Sequence, residues 1–121
     1  MKVLEARLTR DTELFDKMDP YCVLNYKGKK IQTRVHEGGG KTPKWNEEFT
    51  IMLEDNGGEL QVIIMDSDMV TDDTVGGICI GMRHLVATEP VKEWYELQYK
   101  NKSAGKVLLE TVFIPSMPSQ P

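Results

Sequence analysis

Two short segments of the sequence concentrate carboxylate side chains. Residues 11–19 carry a net charge of −3, from Asp11, Glu13, Asp16 and Asp19 against Lys17. Residues 66–73 carry −4, from Asp66, Asp68, Asp72 and Asp73. The whole chain of 121 residues carries −4, so everything outside the two segments sums to +3. The acidity is therefore local, in a chain that is otherwise mildly basic, and this asymmetry is the first functional indication.

Carboxylates that are held together repel one another, and a bound cation relieves the repulsion. Two like charges about 4 Å apart repel by roughly 4 kcal/mol at an effective dielectric constant of about 20. The other way to relieve it is a raised pKa. Hard oxygen ligands without His or Cys nearby favour calcium over zinc or copper, and a cage of many carboxylates suits calcium better than magnesium. The spacing Asp66-x-Asp68 favours a metal site, and solvated loop carboxylates are the alternative.

One calcium motif is excluded by its spacing. An EF-hand that started at Asp66 requires Gly at its sixth position and Glu at its twelfth. Those positions hold Thr71 and Gly77, and the flanking sequence has the pattern of strands rather than helices.

The elements that must position the acidic segments are predicted to be β-strands. Short segments that alternate apolar and polar side chains recur between turn signals, without a sustained helical period. Strands are expected around residues 3–8, 22–26, 31–35, 45–53, 60–64, 78–80, 95–97 and 107–113, with one helical turn within 82–88. Eight strands with short connections fit an antiparallel β-sandwich, whose loops gather at two ends. Since the acidic segments follow the strands at 4–8 and 60–64, they can meet at one end.

Length and composition indicate one globular domain. The chain has a mass of 13.8 kDa, is 40% hydrophobic, and has no apolar run long enough to span a membrane. Its two cysteines, Cys22 and Cys79, are too few for a disulfide framework, so a reduced intracellular protein is expected.

Two classes of function are disfavoured by the sequence. Catalytic motifs such as G-x-S-x-G and H-E-x-x-H do not occur, so no enzyme is expected. The acidic pI of about 5.2 disfavours nucleic-acid binding.

Four motifs occur in a recognisable order. They are Asp19-Pro20-Tyr21, Pro43-Lys44-Trp45-Asn46-Glu47 followed by Phe49, Leu60-x-Val62-x-Ile64-x-Asp66-x-Asp68, and Gly76 after the acidic pair. Through them residues 2–114 resemble a C2 domain, the calcium-dependent phospholipid-binding sandwich of protein kinase C, synaptotagmins and small plant elicitor-responsive proteins. The resemblance implies an all-β, eight-stranded antiparallel sandwich of the circularly permuted type II topology. Residues 1–114 are then the domain, and residues 115–121 are a Pro-rich tail.

The resemblance also implies a set of calcium ligands. In chain order they are Glu13, Asp19, Asp66, Asp68 and Asp73. Asp72 is the alternative to Asp73, because the third loop is one residue shorter than usual in the family. Glu13 stands where the family usually has Asp, and Asp11 is the alternative to it. The main-chain carbonyls of Thr12 and Ser67 match positions that also donate oxygen.

Apolar loop tips and lysines supply the implied lipid-binding residues, which are Leu14, Phe15, Met69, Val70, Lys29, Lys30, Lys41 and Lys44. Burial of a large apolar side chain contributes roughly 1.5–3 kcal/mol. A lysine near an anionic surface contributes about 1 kcal/mol. The alternatives are that the apolar tips pack against neighbouring loops, and that the lysines form a solvated sheet edge.

The resemblance predicts a cytoplasmic module that calcium recruits to anionic phospholipid membranes. The alternative is a C2-like interaction domain that works without calcium and binds a protein or an acidic lipid through its lysines. In the tail, Pro115, Pro118 and Pro121 share one edge of a polyproline II helix, which suggests a polyproline-recognising protein as a further partner. A frayed terminus is the alternative for this tail.

Overall fold

β-strands and a short 3-10 helix make up the secondary structure of the part of the chain that the structure describes. The structure, a computed structural model, describes residues 1–13, 16–54 and 57–115. Its strands, numbered β1 to β8 in chain order, are Lys2–Leu8, Pro20–Tyr26, Lys29–Gln32, Lys44–Glu48, Glu59–Asp66, Asp73–Gly81, Val91–Tyr99 and Lys102–Thr111. A single 3-10 turn, Met82–Leu85, follows β6, within the predicted helical segment. In the described part of the chain, no helix is long and apolar enough to cross a membrane.

The strands form two four-stranded halves around one core. The hydrogen-bonded order is β3-β2-β5-β6-β7-β8-β1-β4, and every neighbouring pair is antiparallel. The two halves meet at the single pair of Gly77 in β6 and Gln98 in β7. Fully buried apolar side chains from both halves form one cluster, for example Leu24, Ile64, Leu97 and Leu109. The predicted all-β, eight-stranded sandwich is therefore confirmed, while the type II assignment stays a prediction.

Two glycines allow close approach between strands. A Cβ atom on Gly76 of β6 would lie 2.7 Å from the Cβ atom of Ala104 in β8, on the other half of the sandwich. Gly105 has a φ of +121°, and a Cβ atom there would lie 2.2 Å from the carbonyl oxygen of Arg7 in β1. Side chains at these positions would separate the strands, so both glycines are required by packing.

Several strand boundaries differ from the sequence prediction. Strand β4 ends at Glu48, and the segment 49–53 that was predicted to continue it is not a strand. Strand β3 ends at Gln32, which leaves Val35 outside it. Strand β6 starts at Asp73, so the pair Gly76-Gly77 lies inside the strand rather than before it. The alternating runs and glycines therefore predicted the positions of the strands correctly, whereas the strand ends that they predicted were wrong.

The register of β1 is irregular between Val3 and Glu5 against both of its neighbours, β4 and β8. Val3 is opposite Glu47 and Glu5 is opposite Lys44, so β4 has an extra residue at this point. Asn46, at the bulge, has a φ of +50°. In the pairing of β1 with β8 the extra residue is in β1 instead, because Val3 is opposite Leu109 and Glu5 is opposite Leu108. It shifts the alternation along β1, so Val3 and Ala6 are both fully buried although strict alternation would place them on opposite faces.

Candidate functional site

Three strands end together at the acidic end of the sandwich. Pro20, the first residue of β2, is opposite Asp66, the last residue of β5. Asp66 is in turn opposite Asp73, the first residue of β6. The loop 67–72 connects β5 to β6, and Asp19 directly precedes β2. The register thus gathers Asp19, Asp66 and Asp73 at one end, as the sequence predicted. Like charges directly opposite one another in a sheet are destabilising, which makes this an electrostatically costly arrangement.

Asp66 is the buried centre of this end. Its side chain has no solvent exposure. The hydroxyl of Thr12 donates to its Oδ2 at 2.7 Å, and the main-chain N–H of Asp19 donates to its Oδ1 at 2.8 Å. A buried carboxylate is tolerated when such hydrogen bonds replace its hydration. Asp66 therefore ties the first acidic segment and the start of β2 to the end of β5.

Glu13 lies beside Asp66. A hydrogen bond to Asp66 raises the pKa of Glu13 from 4.5 to about 7, and the negative charges of Asp66, Asp68 and Asp73 contribute to the rise. A proton on Glu13 relieves the repulsion that a cation would otherwise relieve. The carboxylates of the two acidic segments are therefore close enough to influence one another, although the segments are about 50 residues apart in sequence.

Asp19 and Asp68 are held by main-chain groups of their loops. The N–H of Gly38 donates to Oδ1 of Asp19 at 2.7 Å, and the N–H of Ser67 donates to the carbonyl oxygen of Asp19 at 3.0 Å. The N–H of Met69 donates to Oδ1 of Asp68 at 2.6 Å. Asp19 is half-buried and Asp68 is exposed. These contacts link the start of β2 to both neighbouring loops.

Asp72 has different partners from the other acids. The hydroxyl of Tyr21 donates to its Oδ2, and the N–H of Asp68 donates to its Oδ1 at 2.9 Å. These two hydrogen bonds lower the pKa of Asp72, and burial together with Asp72 raises the pKa of Tyr21 to about 12. Sequence reasoning named Tyr21 only as part of a motif and missed this contact, which no pattern in the chain indicates.

The potential metal-binding groups at the acidic end are carboxylate oxygens, and they are not yet arranged as a complete metal site. Within residues 1–13, 16–54 and 57–115, no three side chains among His, Cys, Asp and Glu are arranged as a finished metal site. Asp11 is exposed and accepts the N–H of Glu13 at 3.0 Å. The donor set nevertheless fits a hard cation such as calcium, because carboxylates from two loops converge and one of them has a raised pKa.

The predicted lipid-binding apolar residues are only partly described. Met69 and Val70, in the loop between β5 and β6, have relative exposures of 101% and 92%. They do not pack against neighbouring loops, so this alternative fails for these two residues. Leu14 and Phe15 lie outside the described residues, as does the tail beyond Pro115. The fully exposed pair sits beside Asp68, at the acidic end.

The four predicted lipid-binding lysines are all exposed, but they do not share one face. Lys29 is opposite Tyr26, and Lys30 is opposite Asn25, so the two lie on opposite faces of β3. Lys29 Nζ is 3.4 Å from a carboxylate oxygen of Glu54. The other two belong to the opposite half of the sandwich: Lys44 is opposite Glu5 of β1, and Lys41 lies in the segment just before β4.

One row of residues crosses the outer face of the first half. Lys30 is opposite Asn25, Asn25 is opposite Gln61, and Gln61 is opposite Cys79. The side-chain amides of Asn25 and Gln61 are hydrogen-bonded at 2.9 Å. Lys30 and the exposed Cys79 thus lie at the two ends of the row. The other cysteine, Cys22, is fully buried, and burial raises the pKa of its thiol.

A further residue that sequence reasoning missed is Arg10, just before the first acidic segment. Its guanidinium lies 3.8 Å from the ring centre of Tyr99 and donates to the carbonyl oxygen of Thr74 at 3.4 Å. These contacts connect the end of β1 to β6 and β7. An Arg beside acidic residues suggests a salt bridge, whereas the structure places it on an aromatic ring.

Comparisons with known proteins agree on one family. A family model described as C2 domain matches residues 1–97. In sequence, the chain is 30% identical over 112 residues to Elicitor-responsive protein 3 of Oryza sativa subsp. japonica, across 91% of this chain and 78% of that protein. The chain is also 34% identical over 85 residues to 16 kDa phloem protein 2 of Cucurbita maxima, across 66% of this chain and 62% of that protein. It is 32% identical over 122 residues to Multiple C2 domain and transmembrane region protein 8 of Arabidopsis thaliana, and covers 12% of that protein.

Solved structures show the same fold. A C2 domain of plant extended synaptotagmin 1 superposes with a TM-score of 0.85 at 24% identity, over 96% of this chain and 92% of that chain. The calcium-bound pair of C2 domains from extended synaptotagmin 2 gives a TM-score of 0.69 at 28% identity, over 90% of this chain and 43% of that chain.

Proposed function

Because the chain belongs to the C2 domain family, we propose that it is a module that docks on anionic phospholipid membranes when calcium binds between its two acidic segments. In this proposal, residues 1–114 are the docking domain and residues 115–121 are a tail. Calcium recruits the domain to the membrane from the cytoplasm.

The observation that carries the proposal is the convergence of carboxylates around Asp66. Asp66 is buried, is opposite Asp73, and raises the pKa of Glu13. Repulsion between carboxylates that are held together without a positive charge lowers the stability of the fold. The cluster therefore indicates a positively charged ligand. The calcium-bound state of a structural relative, extended synaptotagmin 2, supports calcium as that ligand.

The calcium-binding residues proposed here are Glu13, Asp19, Asp66, Asp68 and Asp73. Bound calcium supplies positive charge and coordination positions that phosphate oxygens of a lipid can fill. Asp66 and Asp19 are already fixed by hydrogen bonds, so they form the rigid part of the site. Asp68 and Asp73 are exposed and form the adaptable part. Because the pKa of Glu13 is raised to about 7, Glu13 is a better ligand above that pH than below it.

The membrane contacts follow from the same end of the molecule. Met69 and Val70 are fully exposed beside the acids, and they enter the headgroup region once the loop charge is neutralised. Leu14 and Phe15 are proposed to do the same from the first acidic segment. Lys29, Lys30, Lys41 and Lys44 supply the attraction to anionic lipid from the sides of the domain.

A second candidate is favoured by one observation. No finished metal cage exists among the described residues, whereas all four lysines are exposed. A domain that binds acidic lipid or a protein partner through its lysines needs no calcium. This alternative differs from the main proposal in one measurable property, the calcium dependence of membrane binding.

Vesicle co-sedimentation tests the main proposal. Vesicles of phosphatidylcholine with phosphatidylserine are expected to carry the protein down in calcium and to release it in chelator. The variant Asp68→Asn with Asp73→Asn should stay in the supernatant in both conditions. A control with the same loss of charge, Glu59→Gln with Glu89→Gln, changes two exposed acids outside both acidic segments and should sediment as the wild type does. Equal sedimentation with and without calcium would establish the alternative.

A further inference from the structure

The loop that connects β5 to β6 is fastened at one acidic residue. Both carboxylate oxygens of Asp72 accept hydrogen bonds, one from the Tyr21 hydroxyl and one from the main-chain N–H of Asp68 at 2.9 Å. Tyr21 belongs to β2 and its side chain is buried, so it is a fixed anchor. Asp72, the last residue of the loop, is therefore hydrogen-bonded both to Asp68 near the start of the loop and to Tyr21 in the neighbouring strand β2.

Asp72 and Asp73 are adjacent, but they face different environments. Asp73 is the first residue of β6, directly opposite Asp66. Asp72, by contrast, is turned toward Tyr21.

We propose that Asp72 is a positioning residue rather than a calcium ligand: with Tyr21 it forms a latch that holds the loop 67–72 in place and so presents Asp68, Met69 and Val70. The calcium part of this inference rests on the proposed function, whereas the latch itself does not. The two acids of the pair Asp72-Asp73 then have separate tasks, one in loop geometry and one in ion binding.

The latch has a direct consequence for Asp68. The N–H of Asp68 is bonded to Asp72, while Oδ1 of Asp68 accepts the N–H of Met69. If Asp72 loses Tyr21, the N–H of Asp68 loses a fixed acceptor, and the loop samples more conformations. A proposed ligand on a mobile loop loses more entropy on binding an ion, so calcium affinity decreases although no ligand has been removed.

The first experiment measures the latch without calcium. In chelator, NMR hydrogen exchange at the Asp68 amide should become about tenfold faster in Tyr21→Phe, because a hydrogen bond to a charged acceptor has been removed. The matched control is Tyr95→Phe, which removes a tyrosine–carboxylate bond of 2.8 Å to Glu93 in β7, away from this loop. It should leave the exchange of Asp68 unchanged. Equal exchange in wild type and Tyr21→Phe would overturn the latch.

The second experiment measures calcium binding by titration without lipid. Tyr21→Phe and Asp72→Ala should weaken it by a similar factor, about three- to tenfold, and Asp72→Asn, which keeps a carbonyl acceptor, should recover part of the loss. Asp73→Asn should weaken it much more. If Asp72→Ala matches Asp73→Asn while Tyr21→Phe binds as wild type does, Asp72 is a ligand and the inference is wrong. If the wild type binds no calcium, the proposed function fails, and the exchange experiment alone decides on the latch.

Discussion

Asp66 is both a proposed calcium ligand and a buried acceptor of structural hydrogen bonds. From the sequence alone it is one of several equivalent acids, and its removal should relieve repulsion. The structure separates it from Asp68, because Asp66 accepts bonds from Thr12 and from the main chain of Asp19, while Asp68 is exposed. The two aspartates therefore differ in their importance for stability, although they are alike in proposed function.

This difference predicts opposite effects of two similar substitutions. Asp66→Asn replaces one acceptor oxygen by an N–H₂ group, so it should lower the free energy of unfolding in chelator by about 1–3 kcal/mol. Asp68→Asn should leave it unchanged or raise it slightly, because Asn keeps a carbonyl oxygen that can accept the N–H of Met69 while a repelling charge is removed. Urea denaturation of both variants in chelator checks this. Equal stability of the two would mean that the bonds to Asp66 contribute nothing measurable.

The exposed pair Met69 and Val70 leads to a prediction about lipid rather than calcium. Replacing both by Ala should loosen vesicle binding in calcium by roughly 2–4 kcal/mol, since their apolar surface no longer enters the membrane. Calcium affinity without lipid should not change. Met52→Ala is the matched control, because Met52 is 73% exposed but follows β4, away from the acidic loops. Weaker vesicle binding of the control by the same amount would remove the special role of the loop tip.

At the scale of elements, strand positions were predictable and strand ends were not. Alternation located β2 and β5 correctly, because one side of each strand packs on the core and the other does not. The sequence prediction begins this strand at residue 78, after Gly76, yet Gly76 lies within β6, where the close approach of Ala104 excludes a side chain. Such a contact joins residues far apart in sequence, so local patterns do not contain it.

At the candidate site, too, contacts between residues far apart in sequence could not be predicted from local patterns. The acids that converge were predicted from their places after two strands, since loops meet at the ends of a sandwich. The separation of Lys29 from Lys30 follows from simple alternation and was available from the sequence. The Tyr21–Asp72 contact was not, because it depends on how two strands and a loop come together.

The bulge in β4 predicts a strong preference at position 46. Asn46 has a φ of +50°, a conformation that Asn and Gly tolerate and β-branched residues do not. Asn46→Val should therefore lower the free energy of unfolding by about 1–2 kcal/mol, while Asn46→Gly should be close to neutral. Chemical denaturation of the pair checks this. A Val variant as stable as the Gly variant would mean that the bulge relaxes to another conformation.

At the scale of the whole molecule, the charge distribution predicts that calcium stabilises the fold. An ion that binds only the native state stabilises it by about 2.7 kcal/mol at a concentration of 100 times its Kd. For a domain of this size, that corresponds to a rise in Tm of roughly 10 °C. Thermal melting in millimolar calcium and in chelator measures it. The variant Asp68→Asn with Asp73→Asn should show no such rise, and a wild type that melts identically in both conditions would contradict the proposed site.

Cys79, at one end of the row on the outer face, is a natural labelling site from which the orientation of the membrane-bound domain can be measured. Cys79 is exposed and Cys22 is fully buried, so a maleimide dye attaches at one known point without any substitution. Cys79 lies six residues along β6 from Asp73, about 20 Å from the acidic end. Contact quenching of this dye by spin-labelled lipid, which needs close approach, will be weak if the domain stands on its loops. It will be strong if the domain lies on the face that Cys79 shares with Lys30, which makes the tilt of the bound domain directly readable.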